Sequence, residues 1–263
     1  MGQGSFRRFL SELRNSIKKR MRLDVPGELD QAFLSRMPEP HRARLASLLR
    51  KSQSQLRQDL FALSVLDFKR HGFFVEFGAA DGLGLSNTWL LEKHFGWSGI
   101  LSEPARSYAK KLRSNRSCAI DHRCVWKRTG EMLEFREASN RVLSTIAAYS
   151  DGDMHSEARK EGVTYLVPTV SLSDMLVMHG APSDPDFLSI DTEGSELEIL
   201  SAHDFSGWSF KVICCEHAYT QNREAIFELL SGKGYARVYQ DISQFDDWYV
   251  RRDFLQKDGR GFA

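Results

Sequence analysis

Long apolar runs and paired cysteines are what this 263-residue sequence lacks. No window approaches the roughly 18–20 consecutive apolar residues that a membrane-spanning helix requires. The N-terminal segment contains no apolar core of the signal-peptide kind. The four cysteines have no paired spacing, which excludes a disulfide scaffold and fits a reducing compartment. These absences predict a cytoplasmic protein.

Positive charge is concentrated at the N-terminus, although the net charge of the chain is only +1. Residues 1–57 contain 13 Lys and Arg against 5 Asp and Glu, and the remainder of the chain is acidic. Within this basic arm, apolar side chains recur at helical spacing between Ser5 and Leu23, which predicts an amphipathic helix. Such a helix could contact an acidic partner or an anionic membrane, at the inner face of the cell membrane. The alternative is that it packs on its own domain.

Strands and helices alternate from Gly72 onward. This pattern predicts a parallel, doubly wound α/β sheet that ends in an antiparallel C-terminal hairpin. The predicted strands lie at residues 72–78, 99–102, 118–125, 132–136, 187–190, 212–215, 236–240 and 248–251, and the predicted helices include 29–36, one or two within 41–71, and 86–95. The polar residues 139–163 predict a loop or lid. We therefore divide the chain into a helical extension, residues 1–51, and an α/β domain, residues 52–263.

A glycine-rich turn follows the first predicted strand and indicates a nucleotide-binding site. The strand runs straight into Gly78 and Gly82, so the backbone can approach a ligand at the carboxyl edge of the sheet. Glu103 closes the next strand, where an acidic side chain can accept both hydroxyls of a ribose. The glycine spacing departs from the dinucleotide motif, and Glu76 and Asp81 would repel a pyrophosphate. The same carboxylates suit the cationic S-adenosylmethionine, so NAD is disfavoured.

Ionisable residues also follow two later strands. Asp191 and Glu193 come directly after one strand, and Glu216 and His217 end the next. If both strands are central, these side chains converge over the cofactor cleft. A histidine near carboxylates can act as a general base for a hydroxyl, or Asp191, Glu216 and His217 could hold a divalent metal. The structural alternative is that the acids cap the following helix and that His217 is a satisfied core residue.

Several sequence blocks together resemble one enzyme family. They are Ser54-Gln55 with Gln58-Asp59, residues 72–82, Ser86-Asn87-Thr88 with Leu91-Glu92, Gly96-Trp97-Ser98-Gly99 with Glu103-Pro104, Leu143-Ser144-Thr145, and residues 189–196. In this combination the sequence resembles the FkbM family of S-adenosylmethionine-dependent methyltransferases. The resemblance runs from about Ser52 to Arg252 and does not include the basic arm.

The resemblance implies a class I methyltransferase (Rossmann-like) fold and O-methylation of a hydroxyl on a sugar, a glycan or a secondary metabolite. Carried over by position, the cofactor-binding residues are Glu76, Gly78, Asp81 and Gly82 at the methionine part, Ser86 and Asn87 at the next helix start, Glu103 at the ribose, and Asp121, Cys124 and Val125 at the adenine edge. Asp191 and Glu193 would lie beside the transferring methyl group. The family supplies no general base, so His217 completes the predicted catalytic set from the residues alone.

Two functions remain open at this point. The first is an O-methyltransferase that uses S-adenosylmethionine, with or without a divalent metal, and acts on a hydroxyl-bearing small molecule or glycan. The second is a scaffold or membrane-associated adaptor that keeps the cofactor pocket without turnover. No nucleic-acid partner is expected, and homo-oligomer formation is left open.

Deleting residues 1–23 tests the predicted role of the basic arm. If the arm docks on anionic lipid, the deletion should abolish co-sedimentation with anionic vesicles, because it removes both the apolar face and much of the positive charge. Turnover of a small soluble substrate should stay unchanged. Vesicle binding that survives the deletion would contradict the prediction.

Overall fold

A computed structural model describes residues 27–150 and 156–255 of the chain. The predicted amphipathic helix between Ser5 and Leu23 lies outside the described residues. Within them, no helix is both long and apolar enough to cross a membrane.

Three helices open the described chain: α1 (Glu28–Arg36), α2 (Glu39–Leu48) and α3 (Gln58–Val65). They confirm the helices predicted within 29–71. An ion pair between Asp30 and Arg57, with 2.9 Å between Oδ1 and Nε, ties α1 to the start of α3. Phe33 of α1 and Phe61 of α3 both contact the ring of Trp248 near the C-terminus. Of the extension, α1 therefore packs on the α/β core.

A seven-stranded sheet forms the centre of the fold. Its strands are β1 (Phe73–Phe77), β2 (Ser98–Ser102), β3 (Ala119–Asp121), β8 (Phe187–Ile190), β9 (Val212–Glu216), β10 (Tyr235–Val238) and β11 (Asp246–Arg251). They lie in the order β10-β11-β9-β8-β1-β2-β3. The first five strands are parallel, and β11 pairs antiparallel with both β9 and β10. The predicted parallel sheet with its terminal hairpin is confirmed.

Helices cover both faces of this sheet because neighbouring strand residues point to opposite sides. Phe74 faces one core together with α3, and Val75 faces the other. The remaining helices are α4 (Trp89–Phe95), α5 (Ala109–Asn115), α6 (Ser156–Arg159), α7 (Leu172–Met178), α8 (Glu196–Ala202), α9 (Asn222–Gly232) and α10 (Arg252–Leu255). Apolar residues of α4 and α5 join the first core, and those of α7, α8 and α9 join the second. The sheet is doubly wound, as the sequence predicted.

A second sheet, of four strands, was not predicted as a unit. It consists of β4 (Cys124–Trp126), β5 (Met132–Glu137), β6 (Thr145–Ile146) and β7 (Val163–Ser171). These strands lie in the order β4-β7-β5-β6. The single strand predicted at 118–125 is wrong, because the chain leaves the central sheet after Asp121, whose carboxylate binds the backbone N–H and the guanidinium of Arg123. The predicted loop at 139–163 instead contains β6, α6 and two 3₁₀ turns, at residues 141–143 and 147–149.

Replacing Phe61 with Ala tests the packing between the N-terminal helices and the sheet. Phe61 is fully buried, and its ring stacks on Trp248 with 4.7 Å between the centroids. The substitution should lower the free energy of unfolding by about 3–5 kcal/mol, because it leaves a cavity in the core. Urea denaturation measures the change. Val177→Ala, at an exposed position, should change it by less than about 0.5 kcal/mol, and an equal loss in both variants would contradict the assignment.

Candidate active site

A cleft of about 1050 Å³, counted to its open mouth, lies at the carboxyl edge of the central sheet. Its walls come from the residues that follow β1, β2 and β8, from the start of β11, and from residues of the second sheet. This edge is where ligands bind in open, parallel α/β sheets. The cleft is therefore the candidate site.

Gly78 brings the ends of β1 and β8 into contact. Its φ is +68°, and a Cβ atom at this position would lie 1.9 Å from the carbonyl oxygen of Asp191. The backbone N–H groups of Gly78 and Ala79 donate to the carbonyl oxygen of Ser102 at the end of β2. Only glycine satisfies both the space and the backbone conformation. The turn at Gly78 thus aligns three strand ends along one wall of the cleft.

Glu76 lines the cleft, but its carboxylate is bound by the loop at residues 86–88. Its carboxylate accepts hydrogen bonds from the backbone N–H of Asn87 and from the hydroxyls of Ser86 and Thr88. The fully buried guanidinium of Arg116 lies 3.6 Å away and also donates to Ser86 and Thr88. These bonds hold residues 86–88 outside the helix. α4 therefore begins at Trp89, and the predicted start at Ser86 is wrong.

Of the other predicted residues between β1 and α4, some line the cleft and some do not. Asn87 lines the cleft, accepts from the hydroxyl of Ser54 and donates to that of Ser189. Asp81 and Gly82 do not line the cleft. The Asp81 carboxylate accepts from the backbone N–H groups of Leu83 and Gly84, which closes the turn. Asp81 therefore shapes the loop in this structure and does not face the cleft.

Glu103 lies in the wall at the end of β2, as predicted for a ribose-binding acid. Its carboxylate accepts from the backbone N–H groups of Ala80, at 2.8 Å, and Ala105, at 2.7 Å. Burial raises the pKa of Glu103 to about 7 in spite of these bonds. Cys124 and Val125 line the same end of the cleft, whereas Asp121 is bound to Arg123 and does not.

Asp191 and Glu193 follow β8 and also line the cleft. Asp191 is exposed to the cleft. The surrounding protein keeps water from its carboxylate and so raises its pKa to about 6, and the nearby acids Glu196 and Glu76 raise it further. Glu193 is buried, has a φ of +59°, and binds the fully buried guanidinium of Arg159 with 2.7 Å between Oε2 and Nη2. Glu193 is thus paired with Arg159, whereas Asp191 faces the open cleft.

His217 does not line the cleft. Its Nδ1 accepts from the backbone N–H of Tyr219, and its Nε2 lies 3.8 Å from the carboxylate of Asp247. Burial lowers the pKa of the ring. The structure therefore does not bring His217 to the position that the sequence predicted for the general base.

The predicted metal ligands Asp191, Glu216 and His217 do not come together as one set. Carboxylate oxygens of Asp191, Glu193 and Glu216 lie within 4.8 Å of one another, but His217 is not part of this group. Glu193 already has the positive charge of Arg159. The arrangement does not match the predicted ligand set, and a metal requirement stays a prediction.

Two residues that line the cleft were missed by the sequence analysis. Gln58 and Asp246 line the end of the cleft opposite Glu103, with 2.7 Å between Gln58 Nε2 and Asp246 Oδ2. The backbone N–H of Leu56 donates to Oε1 of Gln58, so its amide nitrogen faces Asp246. Gln58 belongs to a motif of the resemblance, but no sequence signal pointed to Asp246.

The charge of the cleft is entirely negative in the part of the chain that the structure describes. Five lining residues are carboxylic acids, and no Lys, Arg or His lines the cleft: the acids are Glu76, Glu103, Asp191, Glu193 and Asp246. A cationic ligand suits these walls, and a pyrophosphate would meet repulsion. The residues therefore fit the sulfonium of S-adenosylmethionine, and the contact of Glu103 with its ribose stays a prediction.

Residues 76–255 match the family model of the methyltransferase FkbM domain. The chain belongs to the FkbM methyltransferase family. This confirms the resemblance seen in the sequence. Together with the sheet described above, it also confirms the methyltransferase fold and S-adenosylmethionine as the cofactor. No curated protein matches the chain.

Solved structures of other methyltransferases are similar to this chain at low identity. A human methyltransferase 10 domain containing protein is 15% identical over 81% of this chain and 94% of its own, with a TM-score of 0.40. Precorrin-6y C5,15-methyltransferase from Geobacter metallireducens is 13% identical over 73% and 85%, with a TM-score of 0.37. The N-terminal domain of human METTL16, solved with SAH, is 14% identical over 74% and 69%, with a TM-score of 0.36. Since these scores are below 0.5, the family assignment rests on the sequence match.

Glu103→Gln tests the predicted ribose contact in this FkbM methyltransferase. The amide removes the negative charge and one of the acceptor positions, so affinity for S-adenosylhomocysteine should fall about 10- to 100-fold, since a hydrogen bond to a charged group is worth roughly 1.5–3 kcal/mol. Calorimetric titration measures the affinity. Glu134→Gln, at an exposed position of β5, is the matched control and should bind as the wild type does. Equal affinities for all three proteins would remove Glu103 from the cofactor site.

Proposed function

We propose that this FkbM methyltransferase transfers a methyl group to a hydroxyl oxygen of a sugar, a glycan or a secondary metabolite. The observation that carries the proposal is the length of the cleft. It continues beyond Asp191 to Gln58 and Asp246, and three strands lie between β11, which carries Asp246, and β2, which Glu103 follows. An amide and a carboxylate side by side can donate to and accept from the hydroxyls of one acceptor.

The cleft divides into a cofactor half and an acceptor half in this proposal. Bound S-adenosylmethionine supplies the methyl group and a positive charge. Glu103 holds the ribose, and the backbone at Gly78 lets the cofactor lie against the ends of β1 and β8. Asp191 faces the transferring methyl group, and Gln58 with Asp246 orients the acceptor hydroxyl. As the oxygen–methyl bond forms and the sulfur–methyl bond breaks, Asp246, whose pKa burial raises to about 8, accepts the hydroxyl proton, and S-adenosylhomocysteine leaves. This alignment is the main requirement of a group transfer between two bound molecules.

The charge of the cleft supports a neutral acceptor. Arg116 and Arg159 lie behind Glu76 and Glu193, but no Lys, Arg or His is among the described lining residues, so a phosphate, a uronic acid or a nucleic acid would find no cation to bind. A neutral polyol brings only hydroxyl groups, which Gln58 and Asp246 can bind. We therefore favour a neutral sugar or metabolite and expect no nucleic-acid substrate.

Asp191→Asn tests the proposed role of the residue beside the methyl group. The isosteric amide keeps the shape of the cleft but removes the charge that faces the sulfonium. Transfer of labelled methyl from S-adenosylmethionine to acceptors in a cell extract should fall at least about 100-fold, a loss typical for removal of one electrostatic contact to the reacting group. Affinity for the product S-adenosylhomocysteine, which lacks the sulfonium charge, should change less than about threefold.

Two comparisons make this experiment decisive. His217→Gln should retain most of the transfer, because His217 does not line the cleft, and a complete loss would return it to the catalytic set. A wild-type protein that binds S-adenosylhomocysteine but labels nothing in the extract would favour the scaffold function. Labelling of an amine or a thiol in place of a hydroxyl would contradict O-methylation.

A further inference from the structure

A second, smaller pocket opens beside the end of the cleft at which Gln58 and Asp246 lie. Its volume, counted to its open mouth, is about 410 Å³, within the roughly 300–1,000 Å³ that is usual for ligand pockets. Gln55 lines both the cleft and this pocket. Gln244 lines the pocket, and the next two residues, Phe245 and Asp246, line the cleft. The pocket therefore adjoins the proposed acceptor half of the cleft, and we call it the side pocket.

Two glutamine side chains in the side pocket are not held by the protein. The Oε1 atom of Gln244 is buried and has no hydrogen-bond partner within the part of the chain that the structure describes. Gln244 also has a φ of +55°, which residues other than glycine seldom adopt. Among the described residues, none forms a hydrogen bond with the Gln55 side chain. A glutamine amide has both donors and an acceptor, and its terminal torsion is broad, so both side chains can turn to the hydroxyl groups of a ligand.

The charges of the side pocket are balanced within the protein. Arg57 pairs with Asp30, with 2.9 Å between Nε and Oδ1, and both side chains are buried. Asp241 pairs with Arg36, with 3.0 Å between Oδ2 and Nε. A neutral ligand therefore meets no unbalanced charge from the described lining residues.

Apolar side chains form the remaining wall of the side pocket. Leu29 and Ala32 lie three residues apart on α1 and therefore share one face of this helix. Leu29 is 37% exposed and Ala32 is also exposed, so the face is open to a ligand. Apolar walls with a few polar groups are the usual lining of a ligand pocket. They match a sugar ring, which has C–H groups on its faces and hydroxyl groups at its edge.

We propose that the side pocket binds a second sugar unit, so that the acceptor is a neutral oligosaccharide and not a single sugar. This inference rests on the proposed function, because it takes the hydroxyl at Gln58 and Asp246 as the one that is methylated. Gln55 then lies between the two units, and Gln244 binds the hydroxyls of the second. No bond of the second unit forms or breaks. Its binding energy serves to position the first unit in the cleft.

Saccharides of different length test the proposal. Neutral saccharides from cells that lack the enzyme are partly hydrolysed and separated into mono-, di- and trisaccharides, and the non-saccharide metabolites are kept as a further fraction. The full-length protein receives each fraction with labelled S-adenosylmethionine, and the initial rate of methyl transfer is compared per mole of acceptor. Di- and trisaccharides should be labelled at least about tenfold faster than monosaccharides, because a truncated substrate loses the binding energy of its remote part.

Three variants locate the origin of this preference. Ala32→Trp fills the side pocket from an exposed position and should remove most of the preference for disaccharides over monosaccharides. Gln244→Ala removes one amide and should lower the ratio of the two rates about 3- to 10-fold, as expected for a lost hydrogen bond. Ala43→Trp, the same change at an exposed position of α2 outside the side pocket, should keep the wild-type ratio. Because the readout is a ratio of rates, a partial loss of folded protein cancels.

The other outcomes overturn the inference. Equal labelling of mono- and disaccharides by the wild type would mean that the second unit contributes nothing, whether or not a variant folds. A preference that persists in both Ala32→Trp and Gln244→Ala would mean that the second unit binds elsewhere. Labelling of the non-saccharide metabolites alone would remove the sugar subsite but keep methyl transfer to a metabolite. A wild-type protein that binds S-adenosylhomocysteine and labels no fraction would remove the proposed function itself, which separates the two failures.

Discussion

The contact between the backbone at Gly78 and the carbonyl oxygen of Asp191 is the constraint on which the site depends. It exists because β1 and β8 are neighbours and because no side chain separates their ends. The glycine turn also binds the end of β2 through Ser102. With these three ends aligned, Glu103 and Asp191 face one cleft although they lie far apart in the sequence. A larger residue at position 78 would separate the strands and divide that cleft.

The acids of the cleft differ mainly in what neutralises them. Loop hydroxyls and Arg116 hold Glu76, two backbone amides hold Glu103, and Arg159 holds Glu193. These three acids therefore organise the walls as much as they face a ligand. Asp191 differs, because among the described residues no Lys or Arg forms an ion pair with it and it faces the open cleft. The same residue type thus has a structural role in one part of the cleft and an open position in another.

The sequence predicted the central sheet well, since buried parallel strands appear as short apolar runs such as residues 73–77 and 187–190. It did not predict β7, because Val163 and Leu166 of this strand are exposed and break the expected pattern of burial. The conserved geometry of parallel strand ends also let the sequence indicate Glu103 and Asp191. It could not indicate the contact between Gln58 and Asp246, which joins residues 188 positions apart. The sequence correctly placed His217 at the end of a strand. The turn through Tyr219, however, directs the ring toward Asp247.

The hydrogen bond between Gln58 and Asp246 has a consequence for where the catalytic unit begins. The family match starts at Glu76, yet α3 supplies Gln58 to the cleft and Phe61 to the packing on Trp248. A fragment trimmed to the matched segment would expose an indole ring and leave Asp246 without its amide donor. The matched segment and the folded unit that forms the cleft therefore have different boundaries, and α3 in front of the matched segment belongs to the second.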